Sequence, residues 1–346
     1  MWLSRLPGGL AIATVFGAAG FAAVTGSSVA CAAAMGRIAV PEMMRHRYAA
    51  SLATGTVAAA GTIGALIPPS ILMILYGIIA QVPISELFLG GVGAGLLTAA
   101  GYVAIIVLRA KITPDIAPSI HEEVSWHDRI FALRETWPVI LLMLGVFGGL
   151  FSGVFTPTEA GAVGASLSVV IAAIKRALTW ESFKNALIET LLTSAALFII
   201  AIGASMLTRF LAFSGAGDAL SDMVVSIGAD PVLLLIGISM VYLVLGMFLE
   251  PLGAMLLTLP ILLPIIDVTG FSLVWFGVVL TKFLEIGMIT PPIGLNVFVI
   301  KGVVGDLATT SLIFRGILFF LLSDLIVVAA LIIFPEIVLW LPGIVG

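Results

Sequence analysis

The sequence predicts an all-α integral membrane protein made of two inverted repeats, each a re-entrant helical hairpin followed by a helix broken at a Pro-Pro pair. Three observations predict it. The 346 residues are 61% hydrophobic and only 10% charged, whereas soluble domains carry about 25% charged residues. Two long apolar stretches are interrupted by paired prolines, each 27 residues after an earlier proline: Pro41 to Pro68 and Pro264 to Pro291. Lastly, 13 of the 15 Lys and Arg residues fall on connections that a single topology places on one side of the bilayer. A chain this apolar cannot cover itself with a hydrated surface, so lipid faces much of it. A soluble enzyme, a secreted disulfide scaffold, a disordered tail and a nucleic-acid binder are all excluded. The single cysteine, Cys31, permits no intrachain disulfide and no thiolate metal cluster.

Each element follows from length and hydropathy. About 20 apolar residues cross a bilayer as a helix. Apolar segments occupy 8–36, 48–80, 86–108, 136–153, 157–174, 185–213, 231–266, 272–304 and 312–334. The first is far longer than a signal-peptide core and precedes no soluble domain. Segments 86–108, 185–213 and 312–334 have simple spanning lengths, and 136–153 and 157–174 are short but adequate. Four segments do not fit one plain span. Residues 8–36 hold Thr25-Gly26-Ser27-Ser28 near their middle, and 231–266 hold Glu250-Pro251 and Gly253. Residues 48–80 are interrupted by Ile67-Pro68-Pro69-Ser70, and 272–304 by Thr290-Pro291-Pro292-Ile293-Gly294. Non-helical backbone survives at membrane depth only inside protein or beside a polar cavity, so four breaks in one chain point to a built site.

The charges set the orientation. With the first and seventh segments as re-entrant hairpins, the connections 1–7, 37–47, 109–135, 175–184 and 301–315 share one side. They carry Arg5, Arg37, Arg45, Arg47, Arg109, Lys111, Arg129, Arg134, Lys175, Arg176, Lys184, Lys301 and Arg315. The opposite connections, 81–85, 154–156, 214–230, 267–271 and 335–346, carry no Lys or Arg but hold Asp218, Asp222, Asp230 and Asp267. Only Arg209 and Lys282 lie within spans. Thirteen against none is a positive-inside pattern, and the first set is expected on the cytoplasmic side.

A shift of 223 residues maps Pro41 onto Pro264, Pro68-Pro69 onto Pro291-Pro292, Gly64 onto Gly287, and Ser27-Ser28 onto Glu250-Pro251. The predicted organisation is a single membrane domain over 1–346. It has a first repeat core at 8–80, intervening spans over 86–213, a second, inverted core at 231–304 and a terminal span over 312–346. The loop after the first hairpin is Arg-rich and its counterpart lacks Lys and Arg, so the two copies are read as oppositely oriented. Inverted repeats with discontinuous helices are the pattern of secondary transporters.

The broken elements carry the predicted chemistry. A hairpin tip at membrane depth offers carbonyls from one limb and N–H groups from the other. Gly26 allows a tight reversal, and Ser27 and Ser28 add hydroxyls. Opposite this tip, Gly64 and Ile67 expose carbonyls, because Pro68 and Pro69 lack N–H groups. Pro69 and Ser70 then open a half-helix with its positive dipole end toward the same cavity. Carbonyls and hydroxyls suit sodium, and half-helix N-termini suit a carboxylate. The sodium candidates are therefore Gly26, Ser27, Ser28, Gly64 and Ile67 in the first copy and Glu250, Gly253, Gly287 and Thr290 in the second. The substrate candidates are Ser28, Pro68, Pro69, Ser70, Pro291, Pro292, Gly294 and Asn296. A simpler reading, that Gly and Pro merely kink membrane helices, competes most strongly for a single break and least for the matched set.

Other residues divide between structure and function. Thr156-Pro157-Thr158-Glu159 has the form of a capping box with Pro at the first helical position, a plain helix start or a part of the transport site. Lys282 and Glu285 lie three apart and are read as a neutralising pair on one helix face, with a proton relay as the alternative. Glu250 is an intramembrane carboxylate, either functional or a helix cap. His46, His121 and His127 all fall in cytoplasmic loops and are read as solvated.

At these residues the chain resembles the large membrane subunit, DctM-like, of tripartite ATP-independent periplasmic (TRAP) transporters. The resemblance rests on GGLAIATVFGAAGFAAVTGSSVACAAAMG (8–36), PEM (41–43), GTIGALIPPSILMILYG (61–77), FTPTEAGAVGA (155–165), MFLEPLGAMLLTLPILLPI (247–265) and IGMITPPIGLNVFV (286–299). It implies an elevator-type sodium symporter, not an enzyme, in the inner (plasma) membrane of a bacterial or archaeal cell. The implied cargo is an organic acid, a C4-dicarboxylate or a sialic acid, delivered by a periplasmic solute-binding protein. A small DctQ-like membrane subunit is the implied partner, with sodium as coupling ion and no other cofactor. The family's hairpin tips and unwound Pro-Pro loops form its sodium and substrate sites, which carries over to Gly26–Ser28 with Gly64–Ser70 and to Glu250–Gly253 with Gly287–Gly294. Family members ordinarily begin with further scaffold helices upstream of the first matching stretch. The resemblance therefore implies that these belong to a longer form of the chain or come from other chains. A binding-protein-independent carboxylate or ion exchanger is the alternative, then a passive structural subunit or an intramembrane hydrolase. For the hydrolase, HExxH, GxSxG and an intramembrane His are all missing.

Overall fold

A computed structural model describes residues 3, 6–118, 130, 134–215, 219, 222, 226 and 230–345. Among them every regular element is helical: α1 (Gly9–Thr25), α2 (Ser28–Arg45), α3 (Ala50–Thr62), α4 (Ile71–Ala80), α5 (Ile84–Ile112), α6 (Trp137–Phe151), α7 (Pro157–Ile174), α8 (Trp180–Ser214), α9 (Pro231–Phe248), α10 (Pro251–Thr269), α11 (Leu273–Gly287), α12 (Leu295–Val304), α13 (Thr310–Ile333) and α14 (Glu336–Val345). Six of the described helices are long and apolar enough to cross a membrane: α5, α7, α8 over Trp180–Phe210, α9, α10 and α13. Arg5, His121, His127, Arg129 and Asp218 lie outside the described residues.

Local chemistry sets the helix boundaries. Gly26 ends α1 in the left-handed region at φ 60°, its N–H bonded to the Ala22 carbonyl at 2.8 Å. Ser27 is extended and its hydroxyl accepts the Ala30 N–H at 3.4 Å, capping α2. α3 is a run of small residues, buried from Leu52 to Thr62, that tightens into a 3-10 turn over Ile63–Ala65. The chain then bends through Pro68-Pro69 until the Ser70 hydroxyl caps α4 at the Met73 N–H, 3.4 Å away. α11 likewise stops at Gly287, and Gly294 at φ 60° opens α12. Both Pro68-Pro69 and Pro291-Pro292 are cis. Thr156 and Glu159 form the capping box in full, with the Thr156 N–H donating to Glu159 Oε2 at 2.8 Å and the Glu159 N–H to Thr156 Oγ1 at 3.3 Å.

Several stretches read as connections are helical, 37–45 and 335–346 among them. Residues 37–45 extend α2 past Gly36, so Arg37 and Arg45 sit on a helix, with Pro41 inside it. Its last turn is closed by Glu42, which meets Arg45 at 3.9 Å and His46 Nε2 at 3.2 Å, so His46 is a helix-end partner rather than a free loop residue. Residues 335–346 similarly hold α14, which packs on α5 and α11 with Val338 fully buried.

The described chain forms two compact units. One holds α1–α5, nearly all of α9, and α11–α14; the other holds α6, α7, α8 and α10. In the first, α3 packs on α2, α1 and α13 around a core that includes Val40, Met43, Leu52, Tyr102, Ile300 and Phe320. In the second, α6 packs on α7, and within α6 Phe147 and Phe151 stack at 5.8 Å. α8 turns large apolar side chains outward, among them Leu191, Phe198, Ile199 and Phe210. Such a surface suits lipid or an apolar partner.

Candidate functional site

In the first unit the hairpin tip meets the first Pro-Pro break. A Cβ placed on Gly26 would run into the Pro69 carbonyl oxygen, and one on Gly64 would lie 3.4 Å from the Ser27 carbonyl carbon and the Ser28 nitrogen. The close approach of two backbones requires Gly26, whose φ of 60° also suits glycine alone at little cost. Ser27 and Ser70 are both engaged as helix caps. The Ser28 hydroxyl is not: it donates to Glu285 Oε1 on α11 at 2.6 Å, and both side chains are buried.

The second break is held differently. Gly287 packs on α9, where its Cβ would sit 2.6 Å from Gly246 backbone carbons. The Thr290 hydroxyl donates to the Ile286 carbonyl at 2.6 Å, and the Asn296 N–H reaches back across the break to the Met288 carbonyl at 3.1 Å. The Asn296 side chain is fully buried, yet neither its Oδ1 nor its Nδ2 has a hydrogen-bond partner. Pro291 and Pro292 form the break itself, and Pro292 is exposed. Glu250 lies in the two-residue gap between α9 and α10, in the first unit, while Gly253 falls on α10 in the second.

The expected Lys282–Glu285 pair is corrected. Lys282 Nζ instead meets Asp324 Oδ1 on α13 at 2.5 Å, with both side chains at 0% exposure. Tyr102 on α5 donates to the same carboxylate, 2.8 and 2.9 Å from its two oxygens, and lies 3.0 Å from the Thr62 hydroxyl on α3. Four helices thus share one buried polar network. Residues three apart on a helix are close enough to pair, but Lys282 finds a better placed anion on another helix. Sequence reasoning missed Asp324 and Tyr102. Asp324 is an acidic residue inside a span, a signal that marks a functional or paired position by default.

Six helices long and apolar enough to cross a membrane, together with two Pro-Pro chain breaks, describe a multi-pass membrane protein. Residues 2–337 match the family described as "Tripartite ATP-independent periplasmic transporter, DctM component", and the chain belongs to that family. It is 36% identical over 305 residues to the C4-dicarboxylate TRAP transporter large permease protein DctM of Pseudomonas aeruginosa, covering 88% of this chain and 70% of the relative. It is 33% identical over 305 residues to the isethionate TRAP transporter permease protein DctMQ of Oleidesulfovibrio alaskensis, covering 87% and 47%. It is also 31% identical over 341 residues to the sialic acid TRAP transporter large permease protein SiaM of Vibrio cholerae, covering 98% and 79%. These relatives are permeases rather than enzymes, which removes the intramembrane hydrolase.

Proposed function

We propose that the chain is the permease of a sodium-coupled secondary transporter that carries an organic acid across the inner membrane. The observation that carries the proposal is Asn296. A fully buried amide with no partner on either atom costs stability unless a ligand completes it. It lies in the first turn of α12, just past the second Pro-Pro break. A carboxylate offers the acceptor for Nδ2, and a hard cation takes Oδ1. The relatives' names span a dicarboxylate, a sulfonate and a sialic acid, so an organic anion is the common class. C4-dicarboxylates and sialic-acid-like substrates are the first to test.

Sodium is assigned to the first tip and break through Gly26, Ser27, Ser28, Gly64 and Ile67, and to the second through Glu250, Gly253, Gly287 and Thr290. Substrate is assigned to Ser28, Pro68, Pro69, Ser70, Pro291, Pro292, Gly294 and Asn296. The helix boundaries support two repeats: shifted by 223, Gly9–Thr25 falls on 232–248 beside Pro231–Phe248, and Ser28–Arg45 on 251–268 beside Pro251–Thr269. Ile71–Ala80 falls on 294–303 beside Leu295–Val304. The copies are inverted by their opposite charge bias, and the hairpins and broken helices move as one body. A periplasmic solute-binding protein delivers the substrate and a small DctQ-like subunit completes the membrane assembly, the division of labour that the fused name DctMQ suggests for a relative.

Uptake by proteoliposomes holding the chain with both partners tests this. Accumulation of labelled dicarboxylate or sialic acid driven by an inward sodium gradient is expected, and none with choline in its place. Uptake indifferent to the gradient overturns the coupling, and uptake without the binding protein favours the exchanger.

A further inference from the structure

The carboxylate of Glu285 is the strongest feature that the assigned site does not use. It sits in the last turn of α11 at 1% exposure. Its Oε1 accepts the Ser28 hydroxyl at 2.6 Å, a short O–H···O hydrogen bond. Its Oε2 is buried and has no hydrogen-bond partner.

Groups within electrostatic reach are Cys31 on α2, Tyr102 on α5, Lys282 on α11, Asp324 on α13 and Glu250 after α9. Lys282 is the single cation among them, and it is committed to Asp324 at 2.5 Å. The N-terminus of α2, where Ser28 lies, contributes roughly half a positive charge but no donor to Oε2. A buried carboxyl with a bare oxygen, beside a serine hydroxyl whose lone pairs remain available, fits a small hard cation, which takes oxygen ligands.

We propose that Glu285 ligates the coupling sodium ion through Oε2 at the tip of the first hairpin, alongside the Ser28 hydroxyl. The inference rests on the sodium-coupled reading and deepens it. It makes a side chain of the second repeat complete a site in the first, so that the cation ties α11 to the α1–α2 hairpin.

Cys31 offers a local probe, since it is the chain's single cysteine and is buried on α2 three residues after Ser28. The experiment measures maleimide labelling of Cys31, and thermal unfolding by tryptophan fluorescence, for the full chain in nanodiscs titrated with sodium against choline. In the wild type, sodium should slow labelling and raise the unfolding temperature. Glu285→Gln keeps an acceptor for Ser28 and should raise the half-effective sodium concentration by about tenfold or more, the loss expected when a ligand or its direct support is removed. Glu285→Asp, which retains the charge but shortens its reach, should fall between, and it decides the matter if Glu285→Gln does not purify as a monodisperse protein. A sodium response unchanged in either variant overturns the role of Glu285 while leaving sodium coupling intact. A wild type with no sodium response by either readout overturns both.

Discussion

Lys282 and Asp324 form an ion pair at 2.5 Å between α11 and α13, with no solvent exposure on either side. Removing one partner of such a pair leaves a buried charge alone, which costs about 3–5 kcal/mol, whereas replacing both by apolar residues of similar size is often neutral. Lys282→Met and Asp324→Leu should each lower the unfolding temperature of the detergent-solubilised protein sharply. The double variant should recover most of the loss. A double variant as unstable as the sum of the singles shows that the pair does not act as a unit.

Tyr102 donates to Asp324 and contacts Thr62. Tyr102→Phe removes both interactions yet leaves Asp324 with Lys282, so a milder loss of about 1–2 kcal/mol is expected. Thermal melts of Tyr102→Phe beside Asp324→Leu check the ranking.

Gly26 has φ 60° and lies against the Pro69 carbonyl. Gly26→Ala should therefore separate the hairpin tip from the break and abolish uptake. Gly20, in the same hairpin limb, has nothing within 4 Å of its would-be Cβ, and Gly20→Ala should transport normally. Proteoliposome uptake by the two variants, matched for incorporated protein, makes the comparison.

Asn296 sets stability against function. Its amide is buried and unpartnered, so Asn296→Ala removes an unsatisfied group as well as a few contacts. Stability should change by no more than about 1 kcal/mol, while substrate uptake is lost. A large fall in unfolding temperature with residual uptake would instead make Asn296 a packing residue.

Much of the fold was legible in the sequence because hydropathy, glycine and proline act locally. The break at Ser27, the interruptions at Pro68-Pro69 and Pro291-Pro292 and the capping box at Thr156 all fall where the residues place them. Missing N–H groups and hydroxyl caps end a helix whatever surrounds it. The extension of α2 through Pro41 to Arg45 was less legible, because charged residues near a helix end read equally well as a loop. Of the candidate site, the approach of Gly26 to the first break was legible as a backbone feature.

By itself the sequence determined an all-helical membrane chain, the positions of its breaks and the residues that make them. Tertiary structure alone decided which charges meet. Lys282 and Glu285 are neighbours in sequence and on one helix, but each takes its hydrogen-bond partner from elsewhere, Lys282 from Asp324, 42 residues away, and one oxygen of Glu285 from Ser28, 257 residues away. The reason is physical: a buried ion's desolvation is offset only by a partner in good geometry at short range. Such partners are supplied by the packing of α2, α5, α11 and α13 against one another, which no local pattern records.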